Sequence, residues 1–298
     1  MRYNPKVTIG FCVKNSEVTV KEAIDSVVSQ DYPHELMELI VVDGYSKDKT
    51  ISIVEKRLSN TDINVEFFYE NEGLGEARQI VVNNALGDYI IWVDGDIVLG
   101  KNYITKLVEL MDRNPHLAVA RGRFRMRTKE NLVATLESID WIVMTDREQK
   151  VSSEQEFHCA GGSIYRTKAA RQVGGFDRHF KGALEDWDIE HRMKRIGWLT
   201  AFANDAEFYH RLKQTWNELW KENFWYGYGG HYFLHKCQRS ISASAFFTGL
   251  QRPFDAYNLT HRKIVFLISL QYYFKKIAWY FGFLKAHTDG YGHSLGKT

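Results

Sequence analysis

Over its first hundred residues the chain alternates short apolar runs with stretches of helical spacing, and that alternation leaves few folds open to it. Residues 7–13 read as a strand that stops at Lys14-Asn15-Ser16, after which Val20, Ala23, Ile24, Val27 and Val28 recur at helical spacing. Residues 39–42 repeat the pattern and end in Asp43-Gly44-Tyr45-Ser46-Lys47-Asp48, ahead of a helix over about 49–58. Residues 65–69 form a third run, followed by Asn71-Glu72-Gly73-Leu74-Gly75-Glu76-Ala77-Arg78 and a helix through 85. The fourth, from Gly87, ends abruptly in Asp94-Gly95-Asp96. Strands alternating with helices predict an α/β fold whose mostly parallel, doubly wound central sheet is flanked by helices.

In such sheets ligands sit beyond the carboxyl ends of the strands, so Asp94 and Asp96 are expected to face that crevice. Two carboxylates this close repel, and a hard divalent cation held together with substrate phosphates relieves the repulsion. A solvated Asp-Gly turn is the competing reading of the tripeptide alone. The Gly73-Leu74-Gly75 loop follows the third strand and lacks a third glycine, which argues against a dinucleotide fingerprint.

Further along, a helix is predicted over 102–113, stopped by Asn114-Pro115, and a strand over 117–124. Arg121, Arg123, Arg125 and Arg127 alternate on one face, which reads as a solvated edge that discourages aggregation, with phosphate binding as the alternative. Cys159-Ala160-Gly161-Gly162-Ser163 is a small-residue passage where backbone can approach a ligand. Leu184-Glu185-Asp186-Trp187-Asp188 leads into a helix with Ile189, Met193 and Ile196 on one face, ended by Gly197; its carboxylates also suit simple capping. Residues 202–210 read as the last core strand, with His210 at its end. From Trp216 an aromatic belt surrounds Gly227, Gly229 and Gly230. Residues 264–284 are aromatic and basic, broken by Ser269, Gln271 and Lys275-Lys276, which suits a helix lying on a membrane surface, or packing on the main domain or a second subunit. Residues 288–298 read as a frayed end.

Composition excludes several classes. Of 298 residues, 44% are hydrophobic and 26% charged, the profile of a folded protein with a large core. Lys plus Arg (39) nearly balances Asp plus Glu (37), which gives no argument for a nucleic-acid partner. Cys12, Cys159 and Cys237 lie far apart and odd in number, without zinc spacing, so reduced thiols in a cytoplasmic compartment are expected. No signal-peptide core and no membrane-spanning apolar run is visible.

Taken in order, these motifs resemble inverting family-2 glycosyltransferases of the GT-A, or nucleotide-diphospho-sugar transferase, fold. Val42-Asp43-Gly44-Tyr45-Ser46-Lys47-Asp48-Lys49-Thr50 resembles that family's Val-Asp-Asp-Gly-Ser-x-Asp-x-Thr loop, and Lys14-Asn15 its opening, which usually ends in Tyr-Asn. Asp94-Gly95-Asp96 stands at the DxD signature, Gly174-Gly175-Phe176-Asp177 at the Gly-Gly-Phe-Asp turn, and Glu185-Asp186 at the catalytic Glu-Asp motif. The resemblance covers roughly residues 7–235. It implies a glycosyltransferase domain over 1–235, with a nucleotide-binding half over about 1–100 and an acceptor half over 101–235, followed by an aromatic-rich helical extension over 236–298.

The resemblance also implies roles. Asn15, Asp43, Arg78 and Asp94 would bind the nucleotide of a uridine or guanosine diphosphate sugar; Asp96 and His210 would hold Mn²⁺ or Mg²⁺; Asp186 would be the general base. Gly161, Gly162, Glu185 and Trp187 would meet donor sugar and acceptor, a glycan or lipid-linked glycan of the cell envelope. Two departures, Gly44-Tyr45 for Asp-Gly and Lys14 for tyrosine, both fall beside the nucleotide. The competing functions are a nucleotidyltransferase using a nucleoside triphosphate, and a non-catalytic sugar-nucleotide or membrane-surface binding protein; peripheral attachment to the cytoplasmic face of a membrane and homodimerisation stay open.

Overall fold

A computed structural model describes residues 7–125, 131–151, 160–237 and 244–293. Its strands are β1 (Val7–Val13), β2 (Met37–Asp43), β3 (Asn64–Tyr69), β4 (Tyr89–Trp92), β5 (Ile97–Leu99), β6 (Leu117–Arg125), β7 (Ser163–Arg166) and β8 (Leu199–His210). The helices are α1 (Val20–Val28), α2 (Thr50–Leu58), α3 (Leu74–Asn84), α4 (Tyr103–Arg113), α5 (Leu132–Val151), α6 (Thr167–Gln172), α7 (Glu185–Arg195), α8 (Trp216–Cys237), α9 (Ser244–Thr260) and α10 (Ile268–Thr288). Cys159 and Arg127 lie outside the described residues.

The eight strands form one sheet in the order β3-β2-β1-β4-β7-β6-β8-β5. The first four run parallel, as the alternation predicts. β7 is antiparallel to both β4 and β6, β6 runs parallel to β8, and β5 is antiparallel to β8. Every residue of β1, β2 and β4 is buried, as expected of strands covered on both faces. Ile9, Val41, Ile91 and Leu107 belong to the core on one face, Ile40, Trp92, Tyr165 and Ile189 to that on the other. At the amino ends of the strands, buried Glu38 accepts the backbone N–H groups of Leu86 (2.6 Å) and Gly87 (3.1 Å), which fixes where β4 begins.

The arginine strand departs from its sequence reading at one position. β7 pairs with β6 only as far as Arg121, so Arg121 lies inside the sheet, whereas Arg123 and Arg125 run past β7 and are exposed, as a solvated edge predicts. Arg121 is buried with its guanidinium 5.5 Å from the Phe208 ring, Arg123 donates to Asn204, and Arg125 pairs with Glu207 at 2.5 Å. Their alternation serves cross-strand bonding with β8. In α7, Ile189 and Met193 are buried as predicted, whereas Ile196 lies past the last helical turn and is exposed.

The chain divides into two compact units. The first holds the sheet and spans residues 7–125, 160–181 and 185–211; the second comprises residues 131–151, 182–184, 212–237 and 244–293. The helical unit takes in α5, and its C-terminal portion begins at Leu212. Within it, α8 and α10 cross at glycines: a Cβ on Gly227 would meet the Trp279 carbonyl oxygen at 1.8 Å, and one on Gly282 the Phe224 oxygen at 1.8 Å. Around this contact Trp216 and Trp220 pack edge-on against Phe274. Lys275, in the stretch that reads as lying on a membrane surface or packing on protein, is turned inward, bonded to Glu137 at 2.6 Å and Asp140 at 3.1 Å. Beyond α10, Tyr291 stacks on Tyr228 and Tyr232. Among the described residues, no helix is long and apolar enough to cross a membrane.

Candidate active site

The Asp-Gly-Asp loop leaves the carboxyl end of the parallel strands. Val93 N–H donates to Gly10 O in β1 at 3.0 Å, and a tight turn closes from Ile97 N–H to Asp94 O at 3.0 Å. Gly95 is required here by space, because a Cβ would sit 2.9 Å from the Ser16 side chain. The short strand β5 then pairs Ile97 with His210. That pairing puts His210 Nε2 3.3 Å from Asp96 Oδ2, while Arg211 N–H donates to Asp96 O at 3.0 Å. The meeting of Asp96 with the distant His210 is therefore a consequence of a three-residue strand.

Across the loop lies the turn Ala160–Ser163, closed by Ser163 N–H to Ala160 O at 2.7 Å and tied to β4 by Gly162 N–H to Trp92 O at 2.8 Å. Gly162 takes φ +77°, a left-handed conformation natural to glycine. A Cβ on Gly161 would fall 2.7 Å from Asp94 Oδ2, so the bare backbone is what lets Asp94 into this space. The same turn orients Asp186: its Oδ2 accepts Ala160 N–H at 3.0 Å and its Oδ1 accepts Trp187 N–H at 2.9 Å. Each oxygen keeps acceptor capacity beyond those bonds. Trp187 is itself exposed.

Beneath the aspartates is Arg78 of α3, buried between Trp92 (5.6 Å) and Phe176 (5.8 Å). Its Nη1 pairs with Glu185 Oε1 at 2.7 Å and its Nη2 lies 3.5 Å from Asp94 Oδ1. Arg78 thus holds two loops together from below. Burial raises the pKa of Asp94, opposed by Arg78 and reinforced by the charges of Asp96 and Asp186. Burial likewise raises that of Glu185, again against Arg78 and with Asp186 and Asp94 adding to it. Glu185 Oε2 is buried without a hydrogen-bond partner among the described residues.

At the ends of β1 and β2 lies an open cleft of about 550 Å³ lined by Lys14, Asn15, Gly44, Tyr45, Lys47 and Asn71. Its floor is cross-braced. Asp43 accepts Ser46 N–H (2.9 Å) and Oγ–H (2.6 Å), Asn15 N–H donates to Ser46 Oγ (2.8 Å), and Lys47 N–H donates to Asn15 Oδ1 (2.9 Å). Asn15 and Tyr45 hold φ of +49° and +55° in this frame, and the exposed Tyr45 ring leans on Tyr69 at 5.8 Å. A Cβ on Gly44 would lie 2.9 Å from Lys14 Cδ. The two departures from the family pattern, lysine at 14 and glycine at 44, are thus one packing change: the lysine stem fills the space that a side chain at 44 would need.

Comparison with known proteins fits this geometry. The family model for Glycosyl transferase family 2 matches residues 8–174, more than half of the chain. The chain belongs to that family. Among curated relatives of this glycosyl transferase family 2 chain, poly-beta-1,6-N-acetyl-D-glucosamine synthase of Staphylococcus epidermidis is 23% identical over 235 residues, 75% of this chain and 54% of the relative. The same synthase of Staphylococcus aureus strain COL is 22% identical over 231 residues, 76% of this chain and 55% of the relative. The chain therefore spans about half the length of these relatives. Among solved structures, the mannosyltransferase PcManGT of Pyrobaculum calidifontis, in complex with GDP-Man and Mn²⁺, superposes with TM-score 0.70 at 16% identity, covering 97% of this chain and 88% of that one. S. aureus TarS 1–349 in complex with UDP gives 0.52 at 17%, covering 96% and 92%. The fold is GT-A.

The residues singled out from sequence fall into two groups. Asp94, Asp96, His210, Gly161, Gly162, Glu185, Asp186 and Arg78 form one linked cluster; Asn15 and Asp43 brace the floor of the open cleft. Sequence reasoning missed Ser46, which holds both Asn15 and Asp43, and Ala160, whose N–H orients Asp186. A backbone donor leaves no mark on residue type, whereas Ser46 falls at the serine of the Val-Asp-Asp-Gly-Ser-x-Asp-x-Thr loop that residues 42–50 resemble, a signal that could have found it.

Proposed function

We propose that this chain transfers a hexose from a nucleotide-diphospho-sugar to a hydroxyl of a glycan or lipid-linked glycan of the cell envelope, with inversion at the anomeric carbon. The observation that carries the reading is the convergence of Asp94, Asp96 and His210 with a backbone-oriented Asp186 around the Ala160–Ser163 turn. The cleft at Lys14, Asn15 and Tyr45 takes the nucleotide, with the Tyr45 face available to a base and Lys14 and Lys47 to phosphates. UDP and GDP-Man, bound by the two structural neighbours, are the donor classes to try first.

Carboxylate oxygens with one imidazole nitrogen are a donor set that suits Mn²⁺ or Mg²⁺, and a cation there would offset the repulsion that Asp96 and Asp186 exert on Asp94. Asp96 and His210 would hold the ion, with Asp94 beside them. Bound there, it would neutralise charge growing on the leaving diphosphate. Asp186 takes the proton of the acceptor hydroxyl; its two backbone hydrogen bonds fix its direction, and Arg78 with Glu185 fixes the helix end on which it stands. A single displacement with one base inverts configuration.

The test is Asp186→Asn. General-base help is worth about 10²–10⁴ in rate, so transfer should fall by that factor while calorimetric binding of the nucleoside diphosphate, and its dependence on Mn²⁺, persists. Preference for a triphosphate would point to nucleotidyl transfer, and binding indifferent to metal to a non-catalytic role. We also propose that the helical unit attaches to a membrane surface. Phe254, Phe266, Leu270, Ile277, Phe281 and Leu284 are exposed on α9, α10 and the turn between them. Co-sedimentation with anionic vesicles at low salt is expected, and its absence would remove this part of the proposal.

A further inference from the structure

The helical unit gathers four histidines that the transfer reaction does not use. His231 and His235 stand one turn apart on α8, so they share a face. His287 is on the last turn of α10, and His293 follows in the turn beyond it. Ring centroids are 4.5 Å apart for His231 and His235, 4.8 Å for His287 and His293, and 5.5 Å for His231 and His293. One ring nitrogen from each of His231, His235 and His293 lies within 4.8 Å of the others.

Proton bookkeeping decides what the cluster can do. His231 is wholly buried, and its Nδ1 lies 2.6 Å from the carbonyl oxygen of Tyr291, which can only accept. The neutral ring therefore carries its hydrogen on Nδ1 and presents a lone pair at Nε2. That lone pair meets His287 Nδ1 at 3.2 Å, and the same Nδ1 lies 3.1 Å from His293 Nε2. A hydrogen on His287 Nδ1 can point squarely at only one of them. Without it, the nitrogens of His231 and His287 face each other lone pair to lone pair. No arrangement of protons on neutral rings gives both contacts a proper hydrogen bond.

A metal ion resolves the conflict. We propose that His231, His235, His287 and His293 form an all-nitrogen site for a transition-metal dication of the Zn²⁺ class. Tetrahedral zinc, with metal–nitrogen distances of about 2.0–2.1 Å, places its ligand nitrogens roughly 3.3–3.4 Å apart; the two His287 contacts, 3.2 and 3.1 Å, are close to that spacing, and the nitrogens of His231, His235 and His293, within 4.8 Å of one another, would draw together on binding. The carbonyl of Tyr291 on the far nitrogen of His231 is the outer partner that orients metal-binding imidazoles and fixes their tautomer. That carbonyl is itself held in place, since the Tyr291 ring is stacked between Tyr228 and Tyr232 and its N–H donates to Ala286 O at 3.0 Å. Imidazole without carboxylate separates this site from the Asp94–Asp96 cluster, whose oxygens prefer harder ions. The ion would join the turn after α10 to α8 and act as a clamp on the helical unit.

Full-length protein freed of metal with a chelator would be titrated with Co²⁺. The expected result is one equivalent showing the visible bands of tetrahedral nitrogen coordination, displaced by Zn²⁺. In the double variant His235→Ala/His293→Ala, both exposed positions, affinity should fall by at least the roughly 10–100-fold that follows loss of a ligand's hydrogen-bonding partner. Asp94→Asn/Asp96→Asn should leave the bands intact. If the double variant loses its circular-dichroism signal, His287→Gln and hydrogen exchange at residues 286–293 with and without Zn²⁺ replace it, with slowed exchange expected in wild type alone. No tetrahedral bands, bands indifferent to the histidine changes, or bands lost only with the aspartates would overturn the site.

Discussion

Two clusters of charge, one in each unit, differ in their balance and in their access to solvent: the side chains of the helical one are buried or nearly so, those of the sheet one are part-exposed apart from Arg78 and Glu185. In the helical unit Glu137 and Asp140 meet Lys275 and Arg252, two anions against two cations, with contacts of 2.5–3.1 Å. Burial pushes both carboxyl pKa values up; at Asp140, which meets both cations, Lys275 and Arg252 outweigh burial and the net shift is downward, whereas at Glu137, bonded to Lys275 alone, burial prevails and the net shift is upward. In the sheet unit Asp94, Asp96, Glu185 and Asp186 gather about Arg78 and His210, and the pKa of Asp94 moves upward because burial and its neighbouring carboxylates outweigh Arg78. A balanced cluster holds a fold together. An unbalanced one stores repulsion that a cation or a charged ligand can relieve, which is what a site does.

The largest effect on this contrast should come from unbalancing the balanced cluster. Lys275→Met leaves Glu137 and Asp140 buried with Arg252 alone and should cost about 3–5 kcal/mol in denaturant unfolding. Adding Glu137→Gln should return part of that loss. If Lys275→Met is neutral, the ion pairs are decoration and the contrast fails. The next effect belongs to the other cluster: Mn²⁺ at a hundred times its dissociation constant should stabilise the wild type by about 2.7 kcal/mol. That gain should vanish in Asp94→Asn/Asp96→Asn and survive in a protein carrying Lys275→Met.

How far the sequence reveals this contrast depends on what each feature leaves in residue order. β1, β2 and β4 are legible because burial on both faces demands continuous apolar runs, and β3, the exposed edge strand, because of its valine and aromatic residues; Asp94 and Asp186 are legible because motifs fix residue types at fixed places, and Gly161-Gly162 because small residues mark a close approach of backbone. β5 is not, since three residues are too few for a pattern, and it owes its existence to pairing with the end of β8. The burial of Arg121 in β6 is hidden by the run it belongs to, because Arg123 and Arg125, at the same alternation, do face solvent and Arg121 differs only by lying beside β7 and the Phe208 ring. The inward turn of Lys275 is not legible either, since its partners are more than 130 residues earlier, on α5. Arg78 was visible as a motif residue, but its place between Trp92 and Phe176, under both acidic loops, is a fact of packing.

The smallest effect is the most diagnostic, because its sign differs between the clusters. The carboxyl of Asp94 has a folded pKa above its ordinary 3.8, so the folded state binds the proton more tightly than the unfolded chain does. Stability is then lost as pH rises from 3.8 through the folded value, and the penalty is carried in full above it. Asp94→Asn removes that penalty and should stabilise the protein near neutral pH by about 0.5–2 kcal/mol while transfer activity falls, the usual exchange at a functional site. Its advantage should shrink to nothing as pH drops to 3.8. Asp140, with a folded pKa below 3.8, contributes stability that is present above 3.8 and lost as pH falls through the folded value, so Asp140→Asn should destabilise at neutral pH and converge on wild type only in stronger acid. Thermal unfolding of both variants from pH 3 to pH 8 measures this directly. Curves displaced in the same direction at pH 7 would mean that the two clusters are not of different kinds.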